Sequence, residues 1–550
     1  MVFKLKFTPM TVKTQSVLLC LAILSINKNA FKMLLALCSF LATQGLTQPN
    51  IQWQKTFGGT QGEEVRTVQQ TTDGGYILGG YSSSNDGDVF GNNGSLDFWM
   101  IKLNFDGVVQ WKKTYGGSLD ESSLGMQQTL DGGFVVVGYT RSTNGDVSGH
   151  NGYFDAWVLK IDQNGSIQWQ KALGGSGRED AWDIQQTTDG GYIVVGQSSS
   201  TDGDVTINHG YADYWIVKLS STGTIEWQRS HGGNYDDLAY AVKQTPDGGY
   251  IVAGESSSTD GDVTGNHGSS DYWVVKLNFD GKIEWEKSLG GSYLDRANDI
   301  QLTRDGGYIV IGQSYSMDGD VTENHGSFDS WVVKLSKTGD IEWQNALGGT
   351  IEDFGRSIQQ TNDDGYILTG VTSSTNGDVI GNDGGADIWV VKLSEIGDLE
   401  WQKTLGGTKA EFGHSIQQTN DEGYIVAGYS WSNDGDVSEN QGKTDCWVVK
   451  LSPESTSTSN LSAQTLQIYP NPATSTISIL SAEVLTKAEN ALGAHTLSIQ
   501  ITDLLGQQLH QLTVSTNQPI NLSTLPNGFY LLSATTPSGT VFSGKFSKQD

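Results

Sequence analysis

The sequence predicts an all-β protein: a seven-bladed β-propeller of four-stranded, 58-residue units closed by pairing of its N- and C-terminal strands, followed by a small β-rich module. Three observations carry this. Tryptophan recurs at residues 53, 111, 169, 227, 285, 343 and 401, an unbroken spacing of 58. Each unit repeats the same order of strand and turn signals. The array opens on a tryptophan strand and ends one strand short of a complete unit.

Residues 1–48 read as a signal or export segment. Lys28 and Lys32 precede the apolar run Met33–Ala42, and a polar stretch follows Gly45. An earlier run, Val17–Leu24, is also too short to span a bilayer. Initiation near Met33 and cleavage near Gly45 are expected. Neither Cys20 nor Cys38 follows a small residue, so no lipid anchor is expected. Cys446 is then the single cysteine of the mature chain, and no intramolecular disulfide can form.

Residues 49–451 hold the repeats. In one unit, Ala239–Thr245 reads as a strand ending in the turn Pro246-Asp-Gly-Gly, and Tyr250–Gly254 as a second strand. A polar loop, Ser256–Ser270, leads to Tyr272–Leu277. The turn Asn278-Phe-Asp-Gly281 then closes a hairpin onto Ile283–Leu289. The Asp-Gly and Gly-Gly pairs supply the positive φ that tight hairpin turns need. Ile283 and Trp285 alternate with Glu284 and Glu286, the period of a half-exposed strand, whereas Tyr272-Trp-Val-Val is apolar on both parities and should be buried on both faces. Buried inner strands with a half-wet outermost one suit a blade sandwiched between neighbours. At the ends of the array, Ile51–Phe57 is an orphan outer strand and Cys446–Leu451 lacks one. Pairing the two completes seven blades and removes two free edges.

Residues 452–464 form a Ser/Thr linker, and residues 465–550 a β-rich module without repeat tryptophans. This module carries Leu466-Gln-Ile-Tyr-Pro-Asn-Pro472, Ile499-Gln-Ile-Thr-Asp-Leu-Leu-Gly506, Leu525-Pro-Asn-Gly-Phe-Tyr-Leu-Leu532 and Gly544-Lys-Phe-Ser-Lys548. Those motifs, in that order, resemble the type A C-terminal sorting domain of the type IX secretion system. The resemblance implies a seven-stranded Ig-like sandwich that engages the type IX machinery through residues 465–550. It also implies a protein released from the cell or attached to the outer-membrane surface, with the sorting domain usually removed. Ala482–His495 departs from the family as a longer segment between the first two motifs.

The repeat region is similar to propeller arrays of secreted bacterial proteins. Asn278-Phe-Asp-Gly-Lys-Ile-Glu-Trp285 also resembles the repeat of quinoprotein dehydrogenase-like propellers, whose turn docks a tryptophan between blades. That likeness speaks to fold alone. Quinone enzymes of this class usually have eight blades, and no adjacent-cysteine pair or cofactor motif stands here, so no cofactor is expected unless Ca²⁺.

Composition bounds the partners. The net charge is −29, and losing the five lysines of residues 1–48 takes it to −34. Such acidity excludes nucleic acid, whose phosphates need positive charge, and leaves cations or neutral ligands. A monomer is expected.

Two constellations follow the repeat. Ten residues after each tryptophan stands an acid: Glu63, Glu121, Glu179, Asp237, Asp295, Asp353 and Glu411. This ring could bind a cation or a polyhydroxyl ligand at the channel mouth, or each carboxylate could cap the backbone of its own turn. Recurrence in every unit favours the second. Three residues further on the repeat stops repeating: Arg66, Leu124, Trp182, Tyr240, Asn298, Arg356 and His414. Divergence among fixed neighbours is what one asymmetric site would show, and also what an unconstrained surface position would show. These side chains suit sugar or carboxylate binding.

Asp260, Asp262 and Asn266, with Asp271 beyond, could wrap Ca²⁺, although the spacing is not that of an EF-hand and Asx turns account for the aspartates equally well. His209, His267 and His325 occupy equivalent loops on splayed blades, too far apart to share a metal. No nucleophile elbow or HExxH motif appears. The expected function is a binding or adhesion module for glycans or another extracellular ligand. The competing one is a carbohydrate-active, endoglucanase-like hydrolase using carboxylates at the propeller mouth.

Overall fold

The computed structural model describes residues 46–456 apart from 383, and in the C-terminal part residues 464–465, 467–469, 473–480, 496–502, 508–515, 519–535 and 541–549. The export segment up to residue 45, most of the Ser/Thr linker, Pro470–Pro472, Ala482–His495 and Asp503–Gly506 lie outside the described residues. Gln48–Glu454 forms one compact unit, and the residues from Ser455 onward belong to a second.

The first unit contains seven antiparallel four-stranded sheets. Six are built from consecutive strands. In the fourth blade these run, from the channel outward, Asp237–Gln244, Tyr250–Ser256, Asp271–Leu277 and Ile283–Leu289. The seventh takes Glu411–Gln418, Tyr424–Ser430 and Asp445–Leu451 and adds Ile51–Phe57 as its outer strand, with Ile51 opposite Leu451 and Phe57 opposite Cys446. The orphan strands therefore satisfy each other's backbone groups.

Burial follows the apolar patterning. All seven third strands are buried along their whole length. The outer strands are half exposed except at their last residues, as in Ile283–Leu289, with Trp401 and Gln402 buried as well in Leu399–Leu405. Each third strand carries a fully buried tryptophan, from Trp99 to Trp447. Six of these indole N–H groups donate to the outer strand of their own sheet, for example Trp157 to Gln170 at 2.8 Å and Trp273 to Glu286 at 2.9 Å. In the first blade Lys112 replaces the acceptor, and Trp99 Nε1 has no partner.

The repeat tryptophans join the blades. Each meets, edge to face, the aromatic residue that opens the second strand of the next blade, from Trp53–Tyr76 at 5.6 Å across the seam to Trp401–Tyr424 at 6.0 Å. The same indoles press on the hairpin turn of that blade. Gly223 adopts φ +75°, and a Cβ there would lie 2.8 Å from the ring of Trp169. Near the axis, glutamines bridge the inner strands: Gln69 accepts the Gln128 N–H at 2.7 Å, and Gln417 accepts that of Gln70 at 2.6 Å, which links the last blade to the first.

The buried lysine of each third strand is neutralised locally. Lys276 pairs with Asp247 and Glu284, both at 3.0 Å, and donates to Leu277 O. Burial works against ionisation of Asp247, but hydrogen bonds from Thr245, Gly249 and Lys276 outweigh it and hold the carboxylate down at about 2.

The C-terminal unit packs a five-stranded sheet, ordered Gln464–Thr465, Val541–Lys548, Gly528–Thr535, Thr496–Thr502, Gln508–Ser515, and a three-stranded sheet of Gln467–Tyr469, Thr476–Leu480 and Ile520–Asn521. One apolar core, including Ile477, Ile499, Ile520, Leu532 and Phe546, draws on both sheets, as a sandwich requires. These two sheets hold eight strands among the described residues where seven were implied, two of them, Gln464–Thr465 and Ile520–Asn521, only two residues long.

Candidate functional site

In every blade the inner strand carries a β-bulge at one equivalent position. In the first, Val65 faces Gly80 and Thr67 faces Gly79, which leaves Arg66 without a partner. The unpaired residues of the other six are Leu124, Trp182, Tyr240, Asn298, Arg356 and His414. A bulge re-aims the extra side chain. The facing strand must be glycine here, because a Cβ on Gly80 would lie 1.9 Å from Glu64 O. All seven re-aimed side chains, each half buried, line one central cavity of about 540 Å³, within the range of small-molecule sites. The position where the repeat disagrees with itself is thus the position that faces a common space.

The residues around the cavity are polarised. Trp182 meets Tyr240 edge to face at 5.1 Å, and the Tyr240 hydroxyl donates to Glu255 at 2.8 Å. Arg296 pairs with the same Glu255 at 2.9 Å and lies 5.6 Å over the Tyr240 ring. Arg66 pairs with Glu64 at 2.8 Å and reaches His414 Nε2 at 3.4 Å. Deeper in, Lys243 pairs with Asp183 at 3.1 Å, while Asp299 accepts the Ile358 N–H at 3.0 Å. Burial, then the positive charges of Arg66 and Arg356, push His414 well below its ordinary value, so it is neutral at pH 7. Burial together with Arg66 and Arg296 lowers Arg356 to about 10. Arg296 is a channel residue that sequence reasoning missed. Its signal was the position eleven after each tryptophan, two before the bulge, which also varies: Glu64, Ser122, Asp180, Leu238, Arg296, Phe354 and Phe412.

The acidic ring is not a ligand surface. Glu63, Glu121, Glu179, Asp237, Asp295, Asp353 and Glu411 are fully buried. Glu63 accepts the N–H of Gly59 at 2.7 Å, the Ser82 hydroxyl at 2.7 Å and the Ser84 N–H at 3.2 Å. The corresponding glycine N–H bond recurs in the other six blades. These carboxylates cap the loop that enters the inner strand.

The Ca²⁺ candidates are likewise engaged in hydrogen bonds, within their own loop and to the chain that precedes their blade. Asp260 accepts the Asn234 N–H at 2.9 Å, and Asp262 contacts His231 Nδ1 at 3.2 Å. The Asn266 amide donates to Ser256 O and Ser258 O, both at 3.0 Å. Among the described residues no group of three His, Cys, Asp or Glu side chains is arranged to hold a metal. His209, His267 and His325 each pair with the aspartate of their own blade, Asp213, Asp271 and Asp329, at 2.6 to 2.8 Å.

Comparison with known proteins identifies one end of the chain. Residues 467–548 match the family described as "Secretion system C-terminal sorting domain". The chain therefore carries a type IX sorting tail and is directed to the secreted or outer-membrane surface location. No match was found among curated proteins. Solved structures similar to this chain include two of the extracellular domain of BT4673 from B. thetaiotaomicron. One, assigned to a one-component system, has 9% identity and TM-score 0.39 and covers 91% of this chain and 58% of that one. The other, assigned to a hybrid two-component system, has 11% identity and TM-score 0.40 and covers 92% and 59%. This chain thus spans about three-fifths of those domains. An apocarotenoid oxygenase from Synechocystis is similar at 10% identity and TM-score 0.34, over 75% of this chain and 95% of that one.

Proposed function

We propose that this exported protein is a binding module whose ligand, a glycan or a glycan-bearing surface, enters the central channel of the propeller. The observation that carries this reading is the ring of bulge residues. One backbone device, repeated in seven blades, delivers seven side chains to a single cavity, and those side chains are chemically different. A structural role would favour one residue type at equivalent positions, as the buried acidic ring does; recognition of an asymmetric ligand requires variety.

Exposed aromatic rings support the same reading. Tyr211 and Tyr235 stack at 6.3 Å and stand 68% and 55% exposed. Exposed Tyr293 leads through Tyr315 and Phe328 to Phe354, whose ring lies under Arg356 in the channel. Such rings offer flat apolar faces to sugar C–H groups at little entropic cost. The hydrolase reading relied on the seven carboxylates at the mouth, all of which are buried; the two other carboxylates that line the cavity, Asp183 and Asp299, are engaged by Lys243 and by the Ile358 N–H. Residues 1–48 complete the proposal as the segment that starts export.

The test is a glycan array probed with the purified chain, with and without Ca²⁺, beside a Trp182→Ala/Tyr240→Ala double variant. Binding by the parent and at least a tenfold loss in the variant is expected. A blank array under both conditions would sink the reading.

A further inference from the structure

The molecule is strongly acidic, yet the cavity gathers cations, and one of them lacks a counter-charge. Arg66 has Glu64, Arg296 has Glu255 and Lys243 has Asp183. Arg356 makes no hydrogen bond or ion pair among the described residues. The Nε atoms of Arg66, Arg296 and Arg356 are all shut off from solvent without a partner, and the Arg356 guanidinium carbon lies 5.6 Å over the Phe354 ring. A partly buried guanidinium without a counter-charge, beside two further guanidiniums, is poorly solvated, and its terminal nitrogens remain free to take an anion from the cavity.

Building on the binding role above, we propose that the ligand is acidic: a carboxylated saccharide, of the hexuronate class, whose carboxylate seats on Arg356 between Arg66 and Arg296. The planar guanidinium fork matches a carboxylate bidentately. A lone inorganic anion would leave most of the 540 Å³ cavity unfilled. Trp182 and Tyr240, in edge contact with each other beside Arg296, supply the apolar faces against which a sugar ring packs. His414 stays neutral and therefore adds hydrogen-bonding capacity for hydroxyls without adding charge. The long-range field of a −29 protein repels such a ligand, so recognition would be short-range and would strengthen as salt screens that repulsion.

The experiment is calorimetric titration of the full chain with a panel of hexuronate oligomers and with the same oligomers after reduction of their carboxylates to alcohols. At least one uronate is expected to bind, and its reduced counterpart to bind about 10- to 100-fold more weakly, the range of a lost charge-assisted hydrogen bond. Arg356→Gln should lose the same factor and cease to discriminate the two forms, and Arg356→Lys should recover part of it. The unfolding midpoint of Arg356→Gln should not fall below that of the parent, so lost binding would not reflect lost structure. Equal binding of acidic and reduced oligomers by the parent would overturn the inference and leave the binding role standing. Unchanged uronate affinity in Arg356→Gln would do the same. Failure of every oligomer to bind also overturns it, and the binding role falls with it only if the wider glycan array is blank as well.

Discussion

Replacing Asp97 by asparagine should stabilise the propeller at alkaline pH and lose that advantage in mild acid. Asp97 opens the third strand of the first blade and is fully buried. Its Oδ2 accepts the Asn93 N–H at 2.9 Å, while Oδ1 has no hydrogen-bond partner. Burial is the main influence on this carboxyl, opposed by the Asn93 bond and reinforced by the charges of Glu121 and Asp146. The result is a pKa of about 7. The equivalent Asp271 and Asp329, each also met by a histidine ring, and Asp445, which is not, rise to about 6. Against an unfolded value near 3.9, the Asp97 shift is about three units, each equivalent to about 1.4 kcal/mol, so ionised Asp97 forfeits at most about 4 kcal/mol. Between about pH 4 and 7 the folded state binds more protons than the unfolded. Stability therefore falls as pH rises through that window and is restored as pH falls towards 4. Asparagine removes the charge but keeps a buried polar group, so a gain of about 1–3 kcal/mol at pH 8 is expected, shrinking towards zero at pH 5. Guanidinium chloride unfolding of parent and variant at both pH values, with the slopes compared as well as the midpoints, measures it. Equal stabilities at pH 8, or the same difference at both pH values, would refute the reasoning.

Glu422 adopts φ +64° where five other blades place glycine in the same turn, so Glu422→Gly should stabilise by about 1 kcal/mol, read as a raised thermal midpoint. Gln170→Leu should cost about 1–3 kcal/mol in denaturant because it orphans the buried Trp157 N–H, whereas Lys112→Leu in the equivalent place should cost under about 1 kcal/mol, since Trp99 Nε1 already lacks an acceptor. Arg356→Met should raise stability by about 1–3 kcal/mol in ligand-free protein; a destabilised variant would show that the guanidinium is compensated after all.

Much of the fold was legible in the chain. The tryptophan period located every outer strand, and the missing fourth strand of the last unit identified Ile51–Phe57 as its partner. The resemblance carried by Asn278–Trp285 implied a turn that docks a tryptophan, and Trp169 meets Gly223 in the equivalent turn Ser220-Ser-Thr-Gly223. The site was legible only in part. The disagreement at residues 66 to 414 was visible, but the reason these side chains share a cavity is a bulge, whose trace in the chain is the glycine on the facing strand of each unit, Gly80 in the first. For the acidic ring, recurrence in every unit already favoured capping, but the groups that capture Glu63, on Gly59, Ser82 and Ser84, come from separate stretches of chain and only the structure brings them together. The expectation of cationic or neutral ligands came from net charge, which says nothing about where charges gather.

The sequence by itself therefore determined the blades, the closing strand and the exported destination, because these depend on periodicity and on contiguous motifs. Tertiary structure alone decided which variable residues meet, that the carboxylate ring is internal, and that Arg356 stands without a counter-ion. The meeting of the variable residues arises between positions 58 or more apart, and the capture of each ring carboxylate between loops 4 to 21 residues apart, where folding sets the distance and chain order does not.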